Sequence, residues 1–303
     1  MSKKIDLMII GAEKSGTSSL SRYLSEHPEV AMHKQREMNY FLIEEEYKSG
    51  LDQAFISYYA PTLLERRKIV AKCVGIMDYS IGIERIYKHN PTMHLVAVLR
   101  NPITRAYSAY WYARRRAWEN ISTFEQAIEL ELRSDTVEVD SIRTKKNHFL
   151  RAYLRRGRYY EIVQNILERF PKNQVHLYLL EDLKANPYTV LSDVCSILDI
   201  NQNFVAKTSK VHNKAAMPKS VLVARLLASH SIKKLVGYFI PANLKTSLKM
   251  KIEKINDRDF NIPPMSLETY QRLRFYYEPL NDKLSEKFNL DLSIWDLNNN
   301  LIQ

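Results

Sequence analysis

The chain has 303 residues, 45% hydrophobic and 26% charged, with 45 Lys and Arg against 34 Asp and Glu, a formal charge of +11. That length and balance suit one large α/β domain or two small ones and exclude a disordered or fibrous chain, while the positive field favours anionic ligands such as nucleic acid, anionic sugars or phosphorylated cofactors. The two cysteines, Cys73 and Cys195, lie far apart without a neighbouring ligand pattern, which argues against a disulfide framework and against zinc.

The N-terminal MSKKIDLMII enters an apolar run almost at once and offers no signal-peptide core, and no apolar stretch approaches the ~20 residues of a membrane span. A cytoplasmic protein without a stable membrane span is the expectation. Ile5 to Ser25, IDLMIIGAEKSGTSSLSRYLS, then reads as strand, loop and helix. Leu7 to Ile10 are continuously apolar, as in a parallel strand buried on both faces, and Leu20, Tyr23 and Leu24 recur at helical spacing. Gly11 and Gly16 bracket the loop between, which aims backbone N–H groups and the positive end of a helix at one anion.

The loop has the length of a nucleotide triphosphatase P-loop, but Thr17 stands where that motif has Lys, and Lys14 lies inside the loop instead. A compact anion held by Lys14, Ser15, Gly16, Thr17, Ser18 and Ser19 therefore fits better than a magnesium triphosphate. An ordinary βα turn with a solvated lysine is the plain alternative. Further on, Lys34 to Phe41 is a charged loop closed by two aromatics, in which Lys34 and Arg36 favour the ionised form of Glu37, a possible base. A solvated charged loop would look the same.

Residues 51–68 read as a helical region broken at Pro61, and Lys68 to Met77 as a second strand that delivers Asp78 to a loop edge, where open parallel sheets keep their ligands. Asp78 is equally an N-cap for a helix from Ile81 to His89. Met93 to Leu99 is the clearest further strand. It ends in Arg100, whose planar fork suits a second phosphate or a structural carboxylate, and a helix from Ile103 to Arg116 carries Ser108 two turns on.

GAEKSGTSSL, REMNYF and LRNPITRAYSAYW, in that order, resemble the sulfotransferases that use 3'-phosphoadenosine 5'-phosphosulfate (PAPS), especially their carbohydrate (heparan-type) and bacterial branch. LRRGRYYEIVQNILERF, VHLYLLEDLKANP and the C-terminal YYEPLN to Trp295 extend the resemblance over nearly the whole chain. It implies a three-layer P-loop-like α/β fold, a central parallel sheet flanked by helices with a helical C-terminal part, as one domain over 1–303. The nucleotide-binding core would occupy about 1–205, and a lid and C-terminal helices about 206–303.

The resemblance further implies that Lys14, Gly16, Thr17, Ser18 and Ser19 hold the 5'-phosphosulfate, that Arg100 and Ser108 hold the 3'-phosphate, and that Glu37 is the base with Lys14 on the leaving phosphate. Lys214 or Lys219 would contact the nucleotide from the lid. Arg36, Asn39, Tyr40, Asp78 and Tyr79 are the candidate acceptor residues, with a glycan or small molecule as acceptor and neither metal nor nucleic acid required. Two departures set the acceptor side apart: Asn39 stands where some relatives have His, and the loop before Ser80 lacks their lysine. The Lys-rich stretch from Val221 to Ile255 reads as amphipathic helices packed on the sheet or lying on a membrane surface. A P-loop-type nucleotide kinase is the rival enzyme and a basic nucleic-acid-binding module the non-enzymatic rival, though the kinase lacks its lysine after Gly16 and the module any recognisable motif.

Overall fold

The computed structural model describes residues 3–60, 68–133, 151–206, 216–218, 257–259 and 262–297. Five parallel strands form the central sheet: β1 (Leu7–Gly11), β2 (Val30–Met32), β3 (Lys68–Lys72), β4 (His94–Leu99) and β5 (Val175–Leu179), in the order β2-β3-β1-β4-β5. From β1 the chain goes to the edge of the sheet at β2, returns to β3 beside β1, and crosses to the other side between β3 and β4. Open parallel sheets bind ligands at the carboxyl ends of strands where the direction of winding changes, which here is the end of β1.

Every residue of β1 is buried, and alternate side chains feed two cores. Met8 and Ile10 face Ile83, Ile86, Val163 and Ile166, while Leu7 and Ile9 face Leu20, Leu24, Val190 and Val194. The first layer is built by α4 (Ser80–His89) and α7 (Tyr159–Leu167), with α2 (Glu44–Tyr47) and α3 (Leu51–Tyr58) packed into the same core. The second is built by α1 (Thr17–Glu26), α8 (Leu180–Ala185) and α9 (Pro187–Ile197). Each fully buried Leu, Ile or Val contributes about 1.5–3 kcal/mol, so the two faces together anchor the sheet. This is the three-layer fold expected from the resemblance.

A third cluster joins α5 (Pro102–Arg115) and α6 (Phe124–Arg133) to a long C-terminal helix, Leu267–Phe288, through Tyr107, Tyr110, Phe124, Leu273 and Tyr277. Two side chains fix the start of α5 and of the long helix: Asn101 accepts from the N–H groups of Ile103 and Thr104, and Ser266 from that of Thr269. The tail then returns to the sheet. Trp295 is 3% exposed, and its carbonyl accepts a 2.9 Å hydrogen bond from Asn101 Nδ2, the residue after Arg100 and two past the end of β4.

Two expectations need correction. The second strand ends at Lys72 rather than Met77, because the next backbone N–H groups turn back: Ile76 donates to Cys73 O at 3.1 Å and Tyr79 to Ile76 O at 3.0 Å. Ile76 and Met77 are buried all the same, without a ladder, and Met77 fills the space beside Gly11, where an added Cβ would meet its Sδ at 1.8 Å. Asp78 does not cap α4, whose N-cap is Tyr79. Among the described residues, no helix is long and apolar enough to cross a membrane.

Candidate active site

The loop after β1 is built for an anion. Lys14 (φ 67°) and Gly16 (φ 80°) both adopt the left-handed backbone conformation, the latter at the N-cap of α1. Alternation of this kind turns successive N–H groups toward one concavity. No side chain caps α1 at Gly16, and its first turn holds no acidic residue, so the positive end of the helix dipole is left for a ligand. Ser15 is fully buried and its Oγ forms no good hydrogen bond among the described residues. Thr17 is buried, Ser19 half-buried and Ser18 exposed.

Arg100, directly after β4, reaches back to this loop. Its Nε donates to Thr104 Oγ1 at 2.9 Å and its Nη1 to the Lys14 carbonyl at 3.2 Å, while Tyr159 donates its hydroxyl to the Arg100 carbonyl at 3.0 Å. The two strand-end motifs thus meet at one edge of the sheet. Ser108 lies half-buried two turns into α5.

The Lys14 ammonium lies 4.5 Å from the centroid of the Tyr112 ring on α5. Arg36 and Arg116 bring their guanidinium carbons to 5.7 and 5.6 Å from the same centroid. Burial lowers the Lys14 pKa to about 8; Glu13 opposes the shift, and Arg36, Arg100 and Arg115 add to it.

Glu37 stands beside this cluster in the chain, but its cation is neither Lys34 nor Arg36, both of which are exposed. Lys72 Nζ, 3% exposed at the end of β3, lies 2.8 Å from Glu37 Oε1, and the Val74 N–H donates to Oε2 at 3.0 Å. His33 Nε2 accepts the Lys72 N–H at 3.0 Å and so ties the same strand end to the loop before Glu37.

The other candidate acceptor residues divide. Asn39 is half-buried, its N–H donating to the Tyr58 hydroxyl at 3.0 Å. Tyr40 and Tyr79 are core residues, 5% and 2% exposed, and present little surface to an acceptor. The side chain of Asp78 is 3% exposed and accepts from Arg156 Nε at 3.0 Å, while Arg156 Nη1 donates to Glu13 Oε2 at 2.8 Å. Burial alone would raise the Glu13 pKa, but Arg156, Arg105 and Lys14 outweigh it and hold the carboxyl below its usual range. Lys214, Lys219 and the stretch from Val221 to Ile255 lie outside the described residues.

A family model for the sulfotransferase domain matches residues 4–220. The chain belongs to the sulfotransferase family. This sulfotransferase is 23% identical over 266 residues to the membrane-associated sulfotransferase kil1 of Dictyostelium discoideum, a match covering 65% of this chain and 56% of that protein. It is 27% identical over 193 residues to the heparan sulfate glucosamine 3-O-sulfotransferase 5 of Mus musculus, covering 64% and 53%. The matched regions thus span about half the length of these curated relatives. Among solved structures, a sulfotransferase from Alicyclobacillus acidocaldarius superimposes with a TM-score of 0.64 at 22% identity, covering 97% of this chain and 99% of that one, a likeness of fold.

Three residues of this candidate site escape a reading of the sequence alone: Lys72, Tyr112 and Arg156. The signal for Lys72 lies in the KIVAK strand, where a lysine inside an apolar run invites a search for a buried partner. Tyr112 is one of several aromatics on its helix and has no local mark. Arg156 directly precedes Gly157, whose added Cβ would meet Tyr277 Oη at 2.7 Å and Pro102 Cβ at 2.8 Å, so a close approach holds the arginine in place.

Proposed function

We propose that this sulfotransferase moves the sulfuryl group of PAPS to a hydroxyl or amine of a glycan or small-molecule acceptor and releases 3',5'-ADP. The observation that carries the reading is the hydrogen bond from Arg100 to the Lys14 carbonyl, because it makes one site of two separate anion-suited motifs. A donor with phosphates at both ends of its ribose needs such a pair. The uncapped start of α1 and the buried Ser15 hydroxyl fit the same ligand.

The donor supplies the sulfuryl group and a phosphate leaving group. The N-terminal N–H groups of α1, with Gly16, Thr17, Ser18 and Ser19, hold the 5' end, and Arg100 and Ser108 hold the 3'-phosphate. Lys214 or Lys219 closes over the nucleotide. Glu37 accepts the acceptor proton as the new bond to sulfur forms, and Lys14 meets the negative charge left on the phosphate oxygen as the old one breaks. Lys72 and the Val74 N–H orient the Glu37 carboxylate for this step. As in phosphoryl transfer, positioning and fixed charges supply most of the rate.

Calorimetric titration with 3',5'-ADP, beside ATP plus Mg²⁺, tests the reading. Metal-independent binding of 3',5'-ADP is expected, weakened in Arg100→Ala by the ~2–5 kcal/mol of a lost buried charge contact. Unchanged affinity in that variant would remove Arg100 from the site, and binding of Mg·ATP alone would point to a kinase.

A further inference from the structure

Trp295, in the short helix Ile294–Leu297 near the end of the chain, is buried among the residues that surround Arg100. Its carbonyl accepts from Asn101 Nδ2 at 2.9 Å, and Asn101 in turn caps α5 through the N–H groups of Ile103 and Thr104. Its ring centroid lies 6.2 Å from that of Tyr159, whose hydroxyl donates to the Arg100 carbonyl at 3.0 Å. Its indole Nε1 donates to Glu181 Oε2 at 3.3 Å. One residue from the C-terminal tail thus joins the starts of α5, α7 and α8 around the arginine.

Glu181 is the member of this group whose charge bears on the donor. It is the second residue of α8, and Leu180 before it packs under the anion loop, where a Cβ added to Gly16 would meet Leu180 Cδ1 at 2.7 Å. Burial lowers the Arg100 pKa, and the nearby Tyr159 and Glu181 oppose part of that shift. Yet among the described residues Arg100 has no carboxylate within ion-pair distance. Its guanidinium donates there only to Thr104 Oγ1 and the Lys14 carbonyl. The indole N–H of Trp295 is the one hydrogen-bond donor to the Glu181 carboxylate among the described residues. A carboxylate and a guanidinium, both half-buried at one sheet edge, attract unless another group holds the acid. An Arg100 closed onto Glu181 would meet a phosphate with its charge already taken.

We propose that Trp295 is a positioning residue of the donor site: its indole N–H holds the Glu181 carboxylate off Arg100 and so leaves the guanidinium open to the 3'-phosphate. The assignment rests on the reading above, in which Arg100 binds that phosphate, and extends the donor site to the C-terminal tail. Once released, Glu181 competes with the phosphate for one cation, and the apparent affinity falls with the fraction of protein in which the acid holds it.

The test titrates 3',5'-ADP into the full chain in four forms: the parent, Trp295→Phe, Glu181→Gln and the double variant. Trp295→Phe keeps an aromatic ring beside Tyr159 and the backbone carbonyl for Asn101 but lacks the N–H, and it should bind about fivefold or more weaker than the parent. Glu181→Gln should bind at least as tightly as the parent, and the double variant within about twofold of Glu181→Gln, since no acid is left to hold back. Glu181→Gln cannot repair lost packing, so an equal loss in the double variant, or full affinity in Trp295→Phe, would overturn the proposal. A second measurement leaves Trp295 in place and stands even where Trp295→Phe is too unstable to titrate. The chain has three tryptophans, and with ¹⁵N in their indoles one N–H signal should be displaced by Glu181→Gln, both without and with saturating 3',5'-ADP. All three signals unmoved by Glu181→Gln in either state would mean that the indole does not hold the acid, and would equally overturn the proposal. Failure of the parent to bind 3',5'-ADP, or unchanged affinity in Arg100→Ala, would instead defeat the donor reading on which the proposal rests.

Discussion

Lys72 Nζ lies 2.8 Å from Glu37 Oε1, and the two ends of this pair differ in exposure: the lysine side chain is 3% exposed and the glutamate 23%. A buried charge that loses its partner costs about 3–5 kcal/mol, whereas a charge that can reach water costs far less to leave alone. Glu37→Ala should therefore destabilise the protein more than Lys72→Met, although the latter removes the larger side chain. Urea denaturation of both variants measures the difference, and an equal or reversed order would show that Lys72 reaches solvent once freed. In activity, Glu37→Gln should lose on the order of 10²–10⁴ in turnover while still binding 3',5'-ADP. Near-full turnover would remove Glu37 as the base.

The pH behaviour of Lys14 follows from its surroundings. Burial and the nearby arginines bring its pKa from 10.5 to about 8 in the folded protein. Between those values the unfolded chain holds a proton that the folded protein has released, so stability from this group rises as pH rises through that window. Lys14→Met removes the cost of the buried charge. Its stability relative to the parent should be most favourable below pH 8 and should fade by about pH 10, as read from denaturation curves at several pH values. Anion binding favours the charged lysine, so calorimetry near pH 9 in buffers of different ionisation heat should show proton uptake with 3',5'-ADP, absent in Lys14→Met. No uptake in the parent would place Lys14 away from the phosphates.

Arg156 holds a carboxylate of the anion loop, Glu13, and one of the loop after β3, Asp78, at 2.8 and 3.0 Å. Without it, Glu13 would present an uncompensated negative charge next to Lys14, where an anion is to bind. Arg156→Met should weaken 3',5'-ADP binding, and Glu13→Gln on top of it should recover part of the loss. A double-mutant cycle reads this coupling directly, and strictly additive effects would mean that Arg156 acts through the Asp78 contact alone.

The loop from Gly11 to Gly16 is legible because its signals are local: a short apolar strand, a glycine at each end and a lysine between. Arg100 is legible for the same reason, as the residue that ends an apolar strand. The partners of Glu37 and Glu13 are not, since Lys72 lies 35 residues from its carboxylate and Arg156 143 from its own. Local charge patterning points to Lys34 and Arg36 as the partners of Glu37. The fold overrides it because β3 lies between β2 and β1 and buries Lys72 where a peripheral strand would expose it. The surroundings of Asp78 and Tyr79 are not legible either, because they depend on the length of β3. Once the strand stops at Lys72, the turns that follow bury the Tyr79 ring and set the Asp78 carboxylate, 3% exposed, against Arg156.

Gly157 tests whether the close approach beneath Arg156 matters. The residue is buried in a short 3₁₀ turn, Arg155–Gly157, and an added Cβ would meet the hydroxyl of Tyr277 at 2.7 Å and Pro102 Cβ at 2.8 Å. Neither neighbour can yield easily. Tyr277 is fully buried and donates its hydroxyl to the Leu154 carbonyl at 2.7 Å, and Pro102 begins α5 just after Arg100. Overpacking of this kind costs about 1–3 kcal/mol. Gly157→Ala should lower stability by that amount and, by pushing α5 and the 3₁₀ turn apart, weaken 3',5'-ADP binding through Arg100. Tyr277→Phe in the Gly157→Ala background removes the oxygen that the methyl group meets, but it takes one of two donors from the buried Leu154 carbonyl, which keeps only the Gly157 N–H at 2.9 Å, so it should recover only part of the stability. A fully stable Gly157→Ala would mean that the turn relaxes away from Tyr277 without strain.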